Sequence, residues 1–362
     1  MKITIIAGAR PNFMKIAPIV HAIDAAKTNG KNVSYRLVFT GTKDDSSIDA
    51  SLFSDLDMRE PDVYLGVKHS NSIAMAANIM IEFERELLQN TADLVLVVDD
   101  LTATMSCSIV AKKRGLKVAH LVAGTRSFDI NMPKEVNRVI TDGLADYLFT
   151  AGMVANKNLN QTGAESKKIY YVGNVLIDSI RYNRHRLIRP MWFGSLGLEE
   201  KKYILLTINR RTLTSNKEKL KEIVSKVVEK SKGIPVIAPL HNYVREAIEK
   251  LNVKADNLHI IPSQSYLSFG FLVNNAMGIV TDSGNVAEEA TFLNIPCITL
   301  NDFAEHPETY KVGTNVLVGE DVEALSQSLE VMINGEWKKG VLPEKWDGRT
   351  SERIIQILTE VE

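Results

Sequence analysis

Twice along this chain, short apolar runs rich in β-branched residues alternate with longer segments whose apolar residues recur at helical spacing, and that alternation leaves few folds open. The short runs occupy residues 2–7, 35–39, 94–98, 117–122, 147–150 and 169–172, then 203–207, 235–238, 258–261, 278–281, 296–300 and 315–317. Helical spacing occupies residues 13–26, 72–88, 102–114, 135–144 and 154–162 in the first series, and 217–231, 244–251, 284–293 and 322–333 in the second. A run that is apolar at every position is buried on both faces, which requires a parallel sheet covered by helices.

Between the two series, residues 173–202 break the rhythm and carry a basic stretch, Arg181-Tyr182-Asn183-Arg184-His185-Arg186-Leu187-Ile188-Arg189-Pro190. A solvated helix ending at Pro190 and leading into a linker accounts for it more simply than an anion site, because proline cannot continue a helix. The expected fold is α/β, with two Rossmann-like doubly wound parallel-sheet domains facing across a cleft. The expected boundaries are 1–172 for the first domain, 173–202 for a crossing segment, 203–345 for the second domain, and 346–362 for a C-terminal helix packing back on the first.

Charge narrows the partners. Lys plus Arg number 43 and Asp plus Glu 44, for a net charge of −1, so affinity for nucleic acid or a lipid surface by phosphate neutralisation is not expected, and any anion site is local. No run reaches the ~18 apolar residues of a membrane span, and Met1-Lys2-Ile3-Thr4-Ile5-Ile6-Ala7-Gly8 reads as a first strand, not a secretion signal. Cys107 and Cys297, each among small or apolar residues, suit buried thiols in a reducing cytoplasm; no metal set and no cofactor are expected.

In open α/β sheets ligands bind beyond the carboxyl ends of the strands. After the first strand comes Gly8-Ala9-Arg10-Pro11-Asn12-Phe13-Met14-Lys15, a glycine and cations at a helix start, suited to an anion but lacking the G-x-G-x-x-G of dinucleotide sites. An ordinary loop arginine is the plain alternative for Arg10. In the second series, Thr281-Asp282-Ser283-Gly284-Asn285 opens a helix that carries Glu289, a carboxylate placed to accept ribose hydroxyls, although a simple N-cap with ordinary helix glutamates has the same pattern. Thr207-Ile208-Asn209-Arg210-Arg211 adds two arginines after another strand. Together these turns suggest a nucleotide diphosphate. His21 and His259 read as structural, and Trp192, Trp337 and Trp346 are too scattered to form a sugar platform.

Several of these segments, with Ser127-Phe128-Asp129, Met132-Pro133, Val172-Gly173-Asn174-Val175, His306-Pro307-Glu308 and Gly313-Thr314-Asn315-Val316-Leu317-Val318-Gly319, resemble the non-hydrolysing UDP-N-acetylglucosamine 2-epimerase family over nearly the whole chain. The resemblance implies a glycosyltransferase-B-like architecture, a homodimer, and a UDP-sugar between the domains. The implied chemistry removes the proton on C2 while UDP leaves, then adds UDP back on the inverted sugar. Arg10 and Lys15 match the family's substrate-contacting pair, Arg210 and Arg211 its two arginines, His241 its P-x-H, Ser283 with Gly284 its UDP-binding turn, and Glu289 its ribose glutamate.

Departures concentrate where protons move. The family's G-D is Asp99-Asp100, its H-x-E is His120-Leu121-Val122, its P-E-E is Pro133-Lys134-Glu135, and the histidine of its H-R-R-E-N is Asn209. Thr42 replaces a glutamine of the second, activating UDP-sugar site. Losing one acid or base costs about 10²–10⁴ in rate, so weak or absent epimerisation is expected, in a binding protein that serves as a regulatory or scaffold partner, including in a hetero-oligomer with an active paralogue. The alternative is a working enzyme, either an epimerase using Asp100, Glu135 and Lys134 as a rearranged set or a sugar transferase. A nicotinamide oxidoreductase is the weakest reading, for want of the glycine fingerprint.

Overall fold

A computed structural model describes residues 1–68, 71–251, 253 and 255–360. The chain forms two compact units, Met1–Tyr182 with Glu344–Glu362, and Asn183–Pro343. The first holds a seven-stranded parallel sheet of β1 (Lys2–Ala7), β2 (Ser34–Phe39), β3 (Val63–Tyr64), β4 (Leu94–Val98), β5 (Lys117–Leu121), β6 (Tyr147–Thr150) and β7 (Ile169–Tyr171), in the order 3-2-1-4-5-6-7. The second holds β8 (Ile204–Thr207), β9 (Val236–Leu240), β10 (Leu258–Pro262), β11 (Gly278–Thr281), β12 (Cys297–Thr299) and β13 (Asn315–Leu317), with β10-β9-β8-β11-β12-β13 the six-stranded order. Both are doubly wound, and in each the strand order reverses beside the first strand.

Burial on two faces is visible residue by residue. In the second unit Ile204, Leu206 and Ile208 join a core with the helices Lys217–Lys230 and Val322–Ile333, while Tyr203 and Leu205 join another with Tyr266–Asn274 and Gly284–Leu293. Successive residues of one strand therefore serve opposite layers. In the first unit Val95 and Val97 pack with Ile79, Phe83 and Cys107 from the helices Ser72–Gln89 and Thr102–Lys113.

The structure corrects the expected boundary region. The helix Val175–Asn183 belongs to the first unit except at its last residue, and Pro190 does not end a helix but caps the start of the next, Met191–Ser195, where its missing N–H costs nothing. The second unit accordingly begins at Asn183 and ends at Pro343, in place of 203 and 345. The C-terminal segment belongs to the first unit, where Thr350–Glu360 packs on the helix Arg10–Thr28; Val361 and Glu362 of the expected 346–362 segment lie outside the described residues. Several elements are not foreseen from the sequence: besides one-turn helices such as Leu52–Asp55 and Glu308–Lys311, these are a strand and a longer helix. Strand β3 is two residues long, and Tyr266–Asn274 is apolar nearly all round, so neither has a period to detect. Among the described residues, no helix is long and apolar enough to cross a membrane.

One short helix ties the first unit together. Pro18 lies inside Arg10–Thr28, where an interior proline costs ~3 kcal/mol and cannot donate to the carbonyl of Met14. The Ser179 hydroxyl donates to that carbonyl in its place. Its neighbour Asp178 accepts from the amides of Thr350 (3.1 Å) and Ser351 (2.6 Å) and from the Ser351 hydroxyl (2.7 Å), capping the C-terminal helix. Gly173, at φ +103°, lets the chain pass Lys345: a Cβ there would lie 2.0 Å from the Lys345 carbonyl oxygen. Ser179→Ala is expected to lower stability by about 1–2 kcal/mol, by stranding the Met14 carbonyl; urea unfolding midpoints measure the loss, and an unchanged midpoint would show that the carbonyl has another donor.

Candidate functional site

In the first unit the candidate residues gather at the carboxyl ends of β1, β4 and β5, around the point where the strand order reverses. Strand β1 ends in a tight passage: a Cβ on Gly8 would lie 2.6 Å from the Ala103 Cβ, so the turn packs directly on the helix Thr102–Lys113. The amides of Gly8 and Ala9 donate to Asn12 Oδ1 at 2.9 and 3.3 Å, which folds the turn onto the helix Arg10–Thr28. Arg10 reaches Asp49 at 2.9 Å.

Strands β4 and β5 end side by side, Val98 opposite Leu121. The residue after each takes a left-handed backbone, Asp99 at φ +60° and Val122 at φ +69°. Aspartate tolerates this conformation; a β-branched valine is strained in it, at a cost of order 1–3 kcal/mol. The Asp99 amide donates to the Leu121 carbonyl (3.2 Å), and His120 Nε2 lies 2.8 Å from the Asp99 carbonyl. The Asp99 side chain turns to the first helix, where Lys15 Nζ lies 2.6 Å from Oδ1 and Asn12 Nδ2 2.9 Å from Oδ2. Lys15 is only 5% exposed.

The helix Pro133–Leu144 supplies the rest from one face. Arg138 meets Asp100 at 2.6 Å and Glu135 at 3.2 Å, and Lys134 meets Asp100 at 3.3 Å. Glu135 also accepts from the Ser127 amide (2.9 Å), the Ser127 hydroxyl (3.0 Å) and the Phe128 amide (3.2 Å). Burial alone would raise its carboxyl, but the Ser127 and Phe128 donors and Arg138 outweigh it and hold the group below the ordinary glutamate range. One turn further, Asp142 binds His120 Nδ1 (2.6 Å) and Arg126 (2.6 Å), and these override burial to hold its carboxyl low as well. The structure thus brings together Asp100, Lys134 and Glu135, with Arg138 at their centre. Arg138 and Asp142 carried no signal in the sequence, because they meet their partners only through the helix face.

In the second unit the same location, beyond β8 and β11, gathers the nucleotide candidates. Asp282 accepts from the amides of Asn209 (2.8 Å) and Arg210 (2.7 Å), bending the turn after β8 onto β11; burial pushes the Asp282 carboxyl up in spite of these donors. The Arg210 side chain turns to the Leu300 carbonyl (3.3 Å) and the Glu320 carboxylate. Arg211 stands exposed at the start of the short helix Arg211–Ser215. His241 precedes the helix Asn242–Glu249, its ring parallel to that of Tyr243, whose hydroxyl donates to the Asn209 carbonyl at 2.7 Å.

Ser283 caps the helix Gly284–Leu293, its hydroxyl 3.5 Å from the Val286 amide, and its own amide donates to Thr281 Oγ1 at 3.0 Å. A Cβ on Gly284 would meet no atom within 4 Å, so the helix start is open to a ligand's approach. Glu289 is partly buried and, among the described residues, has no hydrogen bond or ion pair; burial, then the neighbouring Glu288, pushes its carboxyl up to about 8.

A sequence model of the family described as UDP-N-acetylglucosamine 2-epimerase matches residues 25–359. The chain belongs to the UDP-N-acetylglucosamine 2-epimerase family. A UDP-N-acetylglucosamine 2-epimerase of Methanocaldococcus jannaschii is 35% identical over 373 residues, covering 99% of both chains. A UDP-2,3-diacetamido-2,3-dideoxy-D-glucuronate 2-epimerase of Pseudomonas aeruginosa is 34% identical, covering 100% of both. The crystal structure of the M. jannaschii UDP-GlcNAc 2-epimerase, in complex with UDP-GlcNAc and UDP, superposes with a TM-score of 0.85 at 34% identity, covering 99% of both chains. The two Rossmann-like, glycosyltransferase-B-like domains are therefore those of the 2-epimerase family.

The depressed Glu135 carboxyl has a consequence for acid stability. A group whose pKa falls on folding stabilises the native state above its unfolded value, ~4.5, and that contribution disappears as pH drops through the lower folded value. Glu135→Gln is expected to cost about 1–3 kcal/mol at pH 7 and to flatten the acid limb of stability below pH ~4.5. Urea midpoints between pH 2.5 and 7 test both; parallel acid limbs in the two proteins would contradict the assignment.

Proposed function

We propose that the chain binds a UDP-N-acetylhexosamine and that C2 epimerisation is weak or lost. The observation that carries this is the state of the carboxylates in the first unit. The position of the family's H-x-E glutamate is Val122, which cannot move a proton, and Asp100 and Glu135 are both held by Arg138. Lys134, 56% exposed at its side chain, lies 3.3 Å from Asp100 and is engaged with that carboxylate. Asn209, in place of the H-R-R-E-N histidine, accepts from Tyr243 through its carbonyl. With groups each worth about 10²–10⁴ in rate replaced, the rearranged-epimerase alternative rests only on the closeness of Asp100, Lys134 and Glu135, all three engaged in ion pairs, and no observation favours a transferase.

Support for nucleotide binding comes from the second unit: an open helix start at Ser283 and Gly284, an exposed Arg211, and Glu289 without an internal partner. The matching structure holds UDP-GlcNAc and UDP. A homodimer, or a hetero-oligomer with an active paralogue in the cytoplasm, is the assembly this reading favours, with the chain as a regulatory or scaffold partner. The decisive experiment is calorimetric titration with UDP and UDP-GlcNAc, together with NMR detection of solvent deuterium at sugar C2. Micromolar to millimolar binding with exchange at least ~10³-fold slower than in the M. jannaschii relative is expected; rapid exchange would overturn loss of activity, and no binding at millimolar ligand would overturn the nucleotide site.

Glu289 adds a pH signature. Its carboxyl, up at about 8, is mostly protonated at pH 7, and ribose hydroxyls donating to it favour the ionised form. UDP-GlcNAc binding at pH 7 is therefore expected to release a proton, and affinity to rise with pH up to about 8 and then level off. Titrations in buffers of different ionisation enthalpy measure the release, and Glu289→Gln should abolish it; release unchanged in that variant would place its source elsewhere.

A further inference from the structure

Among the described residues, the strand tips of the first unit form a closed charge inventory. Arg10 pairs with Asp49, Lys15 with Asp99, Arg126 with Asp142, Lys134 with Asp100, and Arg138 with both Asp100 and Glu135. The amides of the turn after β1 are used as well, since Gly8 and Ala9 donate to Asn12, and Asn12 donates to Asp99. The site looks basic in sequence, yet each of these cations is paired with at least one carboxylate.

Asp99 is the member of this set with a backbone reason to be noticed. It occupies a left-handed position beside Val122, at neighbouring strand ends, and its carboxylate, 2.6 Å from the nearly buried Lys15, is the more exposed member of the pair, so that an anion approaching Lys15 would meet it. A second carboxylate brought to Lys15 would meet Asp99 at close range in a half-desolvated setting, where like charges repel strongly.

We infer that Asp99 is a specificity-determining residue: a built-in counter-anion that reserves Lys15 and makes the first unit select a neutral N-acetylhexosamine over a hexuronate bearing an extra carboxylate. The inference rests on the proposed UDP-sugar binding and names the sugar class it accepts. The choice is a real one within the family, since the P. aeruginosa relative is named for a glucuronate-derived substrate.

The experiment compares calorimetric affinities for UDP, UDP-GlcNAc and its 6-carboxylate counterpart, UDP-N-acetylglucosaminuronate, in the natural chain and in Asp99→Asn. The natural chain is expected to bind the neutral sugar about tenfold or more tightly than the uronate, and Asp99→Asn to narrow that ratio about tenfold, chiefly through tighter uronate binding. Should Asp99→Asn not fold, with Lys15 left buried against an amide, Asp99→Gly carries the same expectation, because glycine adopts the left-handed backbone without strain. A natural chain that prefers the uronate, or a ratio that does not move in the folded variant while UDP still binds, overturns the role of Asp99. Failure of UDP itself to bind overturns the nucleotide reading and this inference with it.

Discussion

A lysine ammonium taken out of water needs a carboxylate within bonding distance, and in the first unit that requirement organises everything around it. Lys15 comes from the first helix, so its partner has to come from the tip of the neighbouring strand β4. Asp99 supplies it at the cost of a left-handed backbone, and His120 reaches the carbonyl of that same residue. His120 in turn needs Asp142, Asp142 needs Arg126, and the helix that carries Asp142 also carries Lys134, Glu135 and Arg138. One ion pair is thus the first link of a chain of polar contacts crossing three strand ends and two helices, in which Asp100, Asp142 and Arg138 each serve two partners.

The second unit solves the same geometric problem with the same residue type. There Asp282, from the tip of β11, holds the amides of Asn209 and Arg210 after β8, as Asp99 from β4 holds side chains beyond β1. In a doubly wound sheet the strands on either side of the reversal send their helices to opposite faces, and the gap so left must be bridged. An aspartate at that point bridges it in both units, but with different consequences. In the first unit the bridging carboxylate consumes a cation; in the second it consumes only backbone donors, leaving Ser283, Gly284 and Arg211 facing outward.

Much of this was legible in the sequence because parallel strands buried on both faces leave an unbroken apolar signature. Twelve of the strands, β1, β2 and β4 to β13, lie where runs such as 94–98 and 278–281 predict them, and the family resemblance located the turns after β1, β8 and β11. What escaped was short, aperiodic or conformational. Strand β3 has two residues, Tyr266–Asn274 shows no polar face, and Pro190 reads the same from sequence whether it closes a helix or opens one. Loss of a glycine at Asp99 was visible, but not that the aspartate would take a left-handed backbone and turn its carboxylate onto Lys15. Ion-pair partners drawn from distant segments leave no spacing to detect.

The helix Val175–Asn183 has a temporal consequence. Asp178 and Ser179, adjacent on its surface, hold the start of the C-terminal helix and the Met14 carbonyl beneath Pro18. As the chain leaves the ribosome, Ser179 can engage its partner at once, whereas the donors for Asp178, Thr350 and Ser351, emerge only after all of the second unit. Until then a buried carboxylate stands without its cap and the face of the first helix that receives Thr350–Glu360 stays uncovered. The first unit, though begun first, is therefore the last to be completed, and synthesis of the whole chain is a condition for its final stability.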